Sequence, residues 1–290
     1  MLTTRTGSFP IGFRRGDSDW QKDLDSLIRW ALTHELGVID IWADANVIGS
    51  RIIAAGLRIG STDLPDVRGL LSPDKSKRAL AVARNAEYIK AATEAGAQNF
   101  FVVMIPEKPD LPRRDNFNCM VESLSALAPV LERHQGRIVI EGWPGPGALC
   151  CTPETLRATF NEVGSGAIGI NYDPSHLIRM GIDPIRFLDE FGDRVYHTHG
   201  KDAEILTENL YEYGSEQPAT FSESFFCGAW HWRYTIPGHG HMRWTRAFQI
   251  LKEKRYTGAI CVELEDANFN GTTAGEQQGI LAGARFLQSC

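Results

Sequence analysis

The 290-residue chain is predicted to be an α/β protein: one (β/α)8 TIM barrel over residues 1–290, with an extended loop after strand 7. Three observations predict it. Eight short β-rich apolar runs alternate with amphipathic stretches almost from end to end. The length fits either two ordinary domains or one barrel of about 250 residues, and no Pro/Gly/Ser-rich linker divides the chain. A doubly wound open sheet would place a glycine-rich nucleotide turn after its first strand, and "TGSFPIGF" is not GxGxxG.

In chain order, the strand candidates are "RTGSF" near Arg5, "VIDIW" ending at Trp42, "LRIGST" near Ile59 and "NFFVVMI" ending at Ile105. "RIVIEGW", "AIGINYD", "RVYHTHG" and "AICVELE" complete the eight. The helices between them have readable ends. Asp17 or Ser18 caps the helix carrying Leu24, Leu27, Ile28 and Ala31; Ser72 and Pro73 open a helix that closes on Gly96. Thr152 caps the next, Pro153 takes its first position and Gly164 ends it. One segment breaks the rhythm: about 203–240 is far longer than an ordinary βα connection and dense in aromatics, among them Tyr211, Phe221, Trp230, Trp232 and Tyr234. It reads either as a folded lid or contact surface, or as a satellite cluster packed on the barrel rim.

Composition narrows the function classes. A formal net charge of -6 gives no general attraction for polyanions, so nucleic acid is not an expected partner. The first twenty residues lack the basic start and apolar core of a signal peptide, and no apolar run approaches about 18 residues, so a cytoplasmic protein without membrane contact is expected. Six cysteines without a CxxC pair predict reduced thiols, with no disulfide scaffold and no zinc finger. A homo-oligomer is compatible with all of this.

A barrel of this kind carries its functional side chains at the carboxy-terminal ends of its strands. Those ends read Glu141, Asp173, His199 and Glu263. Singly, each has an ordinary structural reading: ion-pair partners for the glutamates, a cap before Pro174 for Asp173, a hydrogen-bonded core residue for His199. Together, from successive strands, three carboxylates and one imidazole form a donor set for a single divalent ion. Mn²⁺ (manganese) is favoured, and Mg²⁺, Co²⁺ and Zn²⁺ are compatible. Without a cation the carboxylates would repel one another. His176, one turn beyond Asp173, is read as a substrate-side group; Lys201, in "HTHGKD", either places a positive charge beside a developing enolate oxygen or pairs with Asp202 or Glu204. Arg233 within "WHWRY" and His239 within "PGHGHMRW" are weaker candidates for the substrate side, and Trp143 completes the substrate-binding set.

At these strand ends the chain resembles the xylose isomerase-like barrel superfamily, in its sugar phosphate isomerase/epimerase branch. The matching stretches are "IVIEGWPG", "INYDPSHLIRMGIDP", "VYHTHGKDAEI", "YTIPGHGHMRW" and "YTGAICVELED". The resemblance implies one divalent metal held by Glu141, Asp173, His199 and Glu263, with His176 and Lys201 facing substrate. The chain departs from the family pattern at Gly142, where relatives often carry asparagine, and at His241 and Arg243, where many carry acids.

Such a site suits proton abstraction beside a carbonyl, with Glu141 and Glu263 as catalytic base and acid and an enediolate as intermediate. The expected function is therefore a metal-dependent sugar isomerase/epimerase of carbohydrate metabolism, acting on a small-molecule ketose or keto-sugar. An alternative on the same site is β-elimination from a 3-keto-glycoside by a lyase or deglycosidase. An abasic-site endonuclease and a non-catalytic sugar-binding protein are further alternatives. The acidic balance weighs against the endonuclease.

Overall fold

In a computed structural model describing residues 1–290, ten strands form. They are β1 (Ile11–Arg14), β2 (Val38–Ile41), β3 (Arg58–Asp63), β4 (Asn99–Val103), β5 (Arg137–Glu141), β6 (Ile168–Tyr172), β7 (Val195–Gly200), β8 (Asp202–Ile205), β9 (Trp232–Thr235) and β10 (Ile260–Val262). Eight of them close into a parallel barrel in the order β1-β10-β7-β6-β5-β4-β3-β2. The helices are α1 (Asp19–Lys22), α2 (Leu24–Thr33), α3 (Ala45–Ala54), α4 (Val67–Leu70), α5 (Lys75–Glu94), α6 (Arg113–His134), α7 (Pro153–Val163), α8 (Pro174–Arg179), α9 (Pro184–Phe191), α10 (Thr207–Tyr213), α11 (Trp244–Glu253) and α12 (Thr273–Ser289).

Contacts gather the chain into two units. The first, Met1–Val38, Asp173–Asp193 and His199–Cys290, holds β1, β8 to β10, α1, α2 and α8 to α12. The second, Ile39–Tyr172 and Arg194–Thr198, holds β3 to β6 and α3 to α7. Within the second, Ile138, Val139 and Ile140 of β5 register against Ile168, Gly169 and Ile170 of β6. These strands are buried along both faces, which is why they read as unbroken apolar runs without period-2 alternation.

The first strand lies later than the sequence suggests. "RTGSF" is a turn, because Gly7 and Ser8 take positive φ and Thr4 N–H donates to the Phe9 carbonyl at 3.0 Å. Parallel pairing with β10 begins only at Ile11, opposite Ile260. One glycine in this strand is required by close approach: a Cβ on Gly12 would lie 2.2 Å from the Val38 carbonyl oxygen. Backbone cannot move aside, so Gly12→Ala is expected to cost about 3 kcal/mol in urea-induced unfolding. An unchanged midpoint would contradict this packing.

Helix starts shift in the same informative way. Asp23, not Asp17 or Ser18, caps the long helix α2, its carboxylate accepting from the Asp25 and Ser26 N–H groups. Asp74, not Ser72, caps α5 by accepting from Ser76 and Lys77. In both cases an aspartate directly before the helix accepts two of its free N–H groups. Helix α7 starts at Pro153 after Thr152 and ends on a left-handed Gly164, as the sequence suggests, but the Thr152 side chain makes no capping hydrogen bond. All six cysteines are free thiols. No helix is long and apolar enough to cross a membrane.

The 203–240 segment is structured. Strands β8 and β9 pair antiparallel, Asp202 opposite Thr235 and Ile205 opposite Trp232, with α10 between them. Its aromatics divide: Trp232 and Tyr234 are buried beside Ala203, whereas Tyr211 and Phe221 stand 88% and 99% exposed.

Candidate metal centre

Glu141 is the last residue of β5, Asp173 and Glu263 directly follow β6 and β10, and His199 lies in β7. Glu141, Asp173 and His199 are buried, and one ligand atom from each of the four lies within 4.8 Å of the others. The expected set is therefore brought together. Each donor is held by its local structure. Asp173 caps α8, its Oδ1 accepting from Ser175 N at 2.9 Å and Ser175 Oγ at 2.6 Å, which leaves Oδ2 turned to the cluster. Glu141 Oε2 accepts from Asn171 Nδ2 at 2.7 Å.

A lysine sits among these acids. Lys201, only 2% exposed, places Nζ 2.5 Å from Glu263 Oε2, 2.8 Å from Glu265 Oε2 and 3.1 Å from Asp173 Oδ2. These carboxylates follow β6 and β10, and are not the Asp202 and Glu204 that proximity in sequence suggests. Burial alone would raise the Glu263 pKa, but His199 (Nδ1 at 3.2 Å), Lys201 and Arg14 (Nε at 3.2 Å) outweigh it and hold the carboxyl well below its usual range. Glu263 is thus an anion at neutral pH.

His176 is 1% exposed on the first turn of α8, with Nε2 3.3 Å from Asp173 Oδ2 and Nδ1 2.6 Å from the Tyr234 hydroxyl. Trp143 is half-buried, its ring lying where a Cβ on Gly145 would fall. Arg233 and His239 do not join the group. Arg233 pairs with Glu204 at 2.8 Å across the β8–β9 ribbon, and His239 is exposed beside the Phe269 ring. Both are substrate-side candidates from the sequence; the structure places Arg233 against the ribbon's own carboxylate and His239 on an exposed, glycine-flanked turn.

Sequence reasoning missed four contributors. Glu265 had a signal, being two residues beyond Glu263, and so did Arg14, the last residue of β1. Tyr234 was hidden among the aromatics of the insertion. Asp40, an acid in the middle of the buried run "VIDIW", pairs with His197 Nε2 at 2.9 Å, and Asp40, His197 and His199 form a second group of ligand-type atoms.

Asp202, next to Lys201, serves the loop instead of the cluster. It accepts from Ala203 N at 2.9 Å, Met242 N at 2.9 Å, Trp244 Nε1 at 3.1 Å and Gly238 N at 3.4 Å. Asp202→Ala strands these buried donors and is expected to cost about 3 kcal/mol, with faster hydrogen exchange over 236–244. Wild-type exchange there would contradict the anchoring role.

The donor set fits a divalent cation. Asp173 Oδ2 is a buried carboxylate oxygen with ion-pair contacts but no hydrogen bond, and three carboxylates with one imidazole and no thiolate match a hard to borderline ion.

The chain matches the Xylose isomerase-like TIM barrel family over residues 35–290 and belongs to it. It is 34% identical over 139 residues to the uncharacterized protein YfiH of Bacillus subtilis (strain 168), covering 45% of this chain and 41% of that protein. It is 26% identical over 159 residues to the inosose dehydratase of Clostridium tetani (strain Massachusetts / E88), covering 55% of this chain and 50% of the relative. The matched stretches thus span half or less of these relatives' own length. Among solved structures, the 3-keto-D-glucoside 4-epimerase YcjR of E. coli superposes with a TM-score of 0.70 at 14% identity, over 97% of this chain and 100% of that one, a likeness of fold.

Proposed function

We propose that this protein is an enzyme of sugar metabolism that removes a proton beside a carbonyl, as an isomerase or epimerase of a ketose or keto-sugar. The observation that carries the reading is the convergence of Glu141, Asp173, His199 and Glu263 within 4.8 Å. These four would hold one divalent ion, with manganese favoured. When bound, such an ion supplies Lewis-acid polarisation of a carbonyl and its neighbouring hydroxyl, and stabilises the charge of an enediolate.

The chain's own residues do the rest. Glu141 and Glu263 take and return the proton at the carbon beside the carbonyl, from opposite faces of the substrate. His176 donates to a substrate hydroxyl, and Trp143 gives the sugar an apolar wall. Lys201 balances the carboxylate charge and stands ready beside a developing oxyanion.

One observation favours a second reading. The relatives matched over about half this chain include inosose dehydratases, whose name describes loss of water. The same proton abstraction followed by β-elimination would make this protein a lyase on a keto-sugar or 3-keto-glycoside. Turnover of a panel of ketoses and keto-glycosides in D₂O separates the two. An epimerase leaves deuterium at the carbon of recovered isomer; a lyase releases the eliminated group and an unsaturated ketone. Absence of both products across the panel would contradict the proposal.

A further inference from the structure

The 203–240 insertion places one side chain against the candidate site. Tyr234, on β9, is 4% exposed and its hydroxyl lies 2.6 Å from His176 Nδ1. The two rings meet edge to face, with centroids 5.3 Å apart and planes at 76°. Trp232 packs on the Tyr234 ring at 4.9 Å, and Lys201 Nζ lies 4.6 Å from its centroid. The phenol ring is thus packed by His176, Trp232 and Lys201.

We propose that Tyr234 is a positioning residue: its hydroxyl donates to His176 Nδ1 and holds the imidazole in its Nε2–H form, a hydrogen-bond donor instead of a metal ligand. Two separate facts place the proton. The buried Tyr234 O–H has His176 Nδ1 as its hydrogen-bond partner, so a proton already on Nδ1 would leave that O–H without an acceptor. On the other side of the ring, Nε2 lies 3.3 Å from Asp173 Oδ2, where an N–H is attracted and a lone pair repelled. Both contacts select the same tautomer. With Nε2 protonated, His176 has no lone pair for a cation on that side and stands beside Asp173 as a hydrogen-bond donor. The insertion then acts on the site directly, by fixing the direction of one hydrogen bond.

The assignment is tested on protein labelled with ¹⁵N-histidine, using long-range ¹H–¹⁵N correlation of the imidazole nitrogens. The His176 signals are identified by their loss in His176→Gln. Wild-type protein is expected to give the neutral Nε2–H pattern for His176, both metal-free and with Mg²⁺. Tyr234→Phe keeps the ring but removes the donor, and is expected to populate the Nδ1–H form as well. A wild-type Nδ1–H or imidazolium pattern at pH 7.5 overturns the proposal, and so does an unchanged pattern in Tyr234→Phe. The wild-type reading decides even if the variant folds poorly.

The consequence for turnover rests on the functional reading above. Tyr234→Phe is expected to lower kcat/KM about tenfold at unchanged metal content. Unchanged kcat/KM would overturn the positioning role. Failure of wild-type protein to convert any ketose or keto-glycoside would refute the functional reading, with the tautomer measurement unaffected.

Discussion

Glu263→Gln is expected to lower turnover about a thousandfold while leaving the fold intact. The substitution keeps the shape of the side chain but removes the charge that meets His199, Lys201 and Arg14 at 3.2, 2.5 and 3.2 Å. Under the proposed function it removes a proton-transfer group, worth about 10² to 10⁴ in rate, and a metal ligand. The loss applies equally to epimerisation and elimination, since both begin with the same proton. Steady-state kinetics alongside metal analysis measures it. A variant retaining both wild-type turnover and wild-type metal content would remove Glu263 from the chemistry.

Lys201→Met is expected to be the most destabilising change in the site when metal is absent. Lys201 is buried against Asp173, Glu263 and Glu265, and loss of one partner from a buried ion pair costs about 3 to 5 kcal/mol. A cation returning between those carboxylates should recover part of the loss, so added Mn²⁺ should stabilise the variant more than wild type. The pH dependence has a definite sign. Glu263 is held below its ordinary pKa, so its contribution is present above the unfolded carboxylate value of about 4.3 and is lost as pH falls through the folded one. Removing Lys201 removes one cause of that depression, and the acid-unfolding midpoint should move to higher pH. Equal stability of variant and wild type in metal-free buffer, with coincident acid limbs, would contradict the role of Lys201 as the internal counter-charge.

Much of the fold was legible because buried parallel strands leave a strong trace. "RIVIE" and "AIGINY" are apolar runs of strand length, and they form β5 and β6. The four strand-end donors were legible for a related reason: an acid or histidine terminating an apolar run stands out. The failures concern competition between neighbours. "RTGSF" has strand-like composition, but its Gly–Ser pair turns the chain before pairing begins. Asp23 and Asp74 displaced earlier caps, each a capping residue only two to six positions further along, a difference composition does not resolve. Lys201 was visible, while its pairing was not, because Asp173, Glu263 and Glu265 meet it through the fold and not through proximity in the chain. Tyr234 was beyond sequence reasoning for the same cause: its meeting with His176 depends on the return of β9 along β8, 58 residues downstream.

A divalent ion is expected to bind among Glu141, Asp173, His199 and Glu263. Crystals equilibrated with MnCl₂ and recorded for anomalous scattering test it most directly. The account predicts one manganese peak, ligated by those four side chains, that disappears in Asp173→Asn. No peak at that position, or a peak held instead by Asp40, His197 and His199, would contradict it.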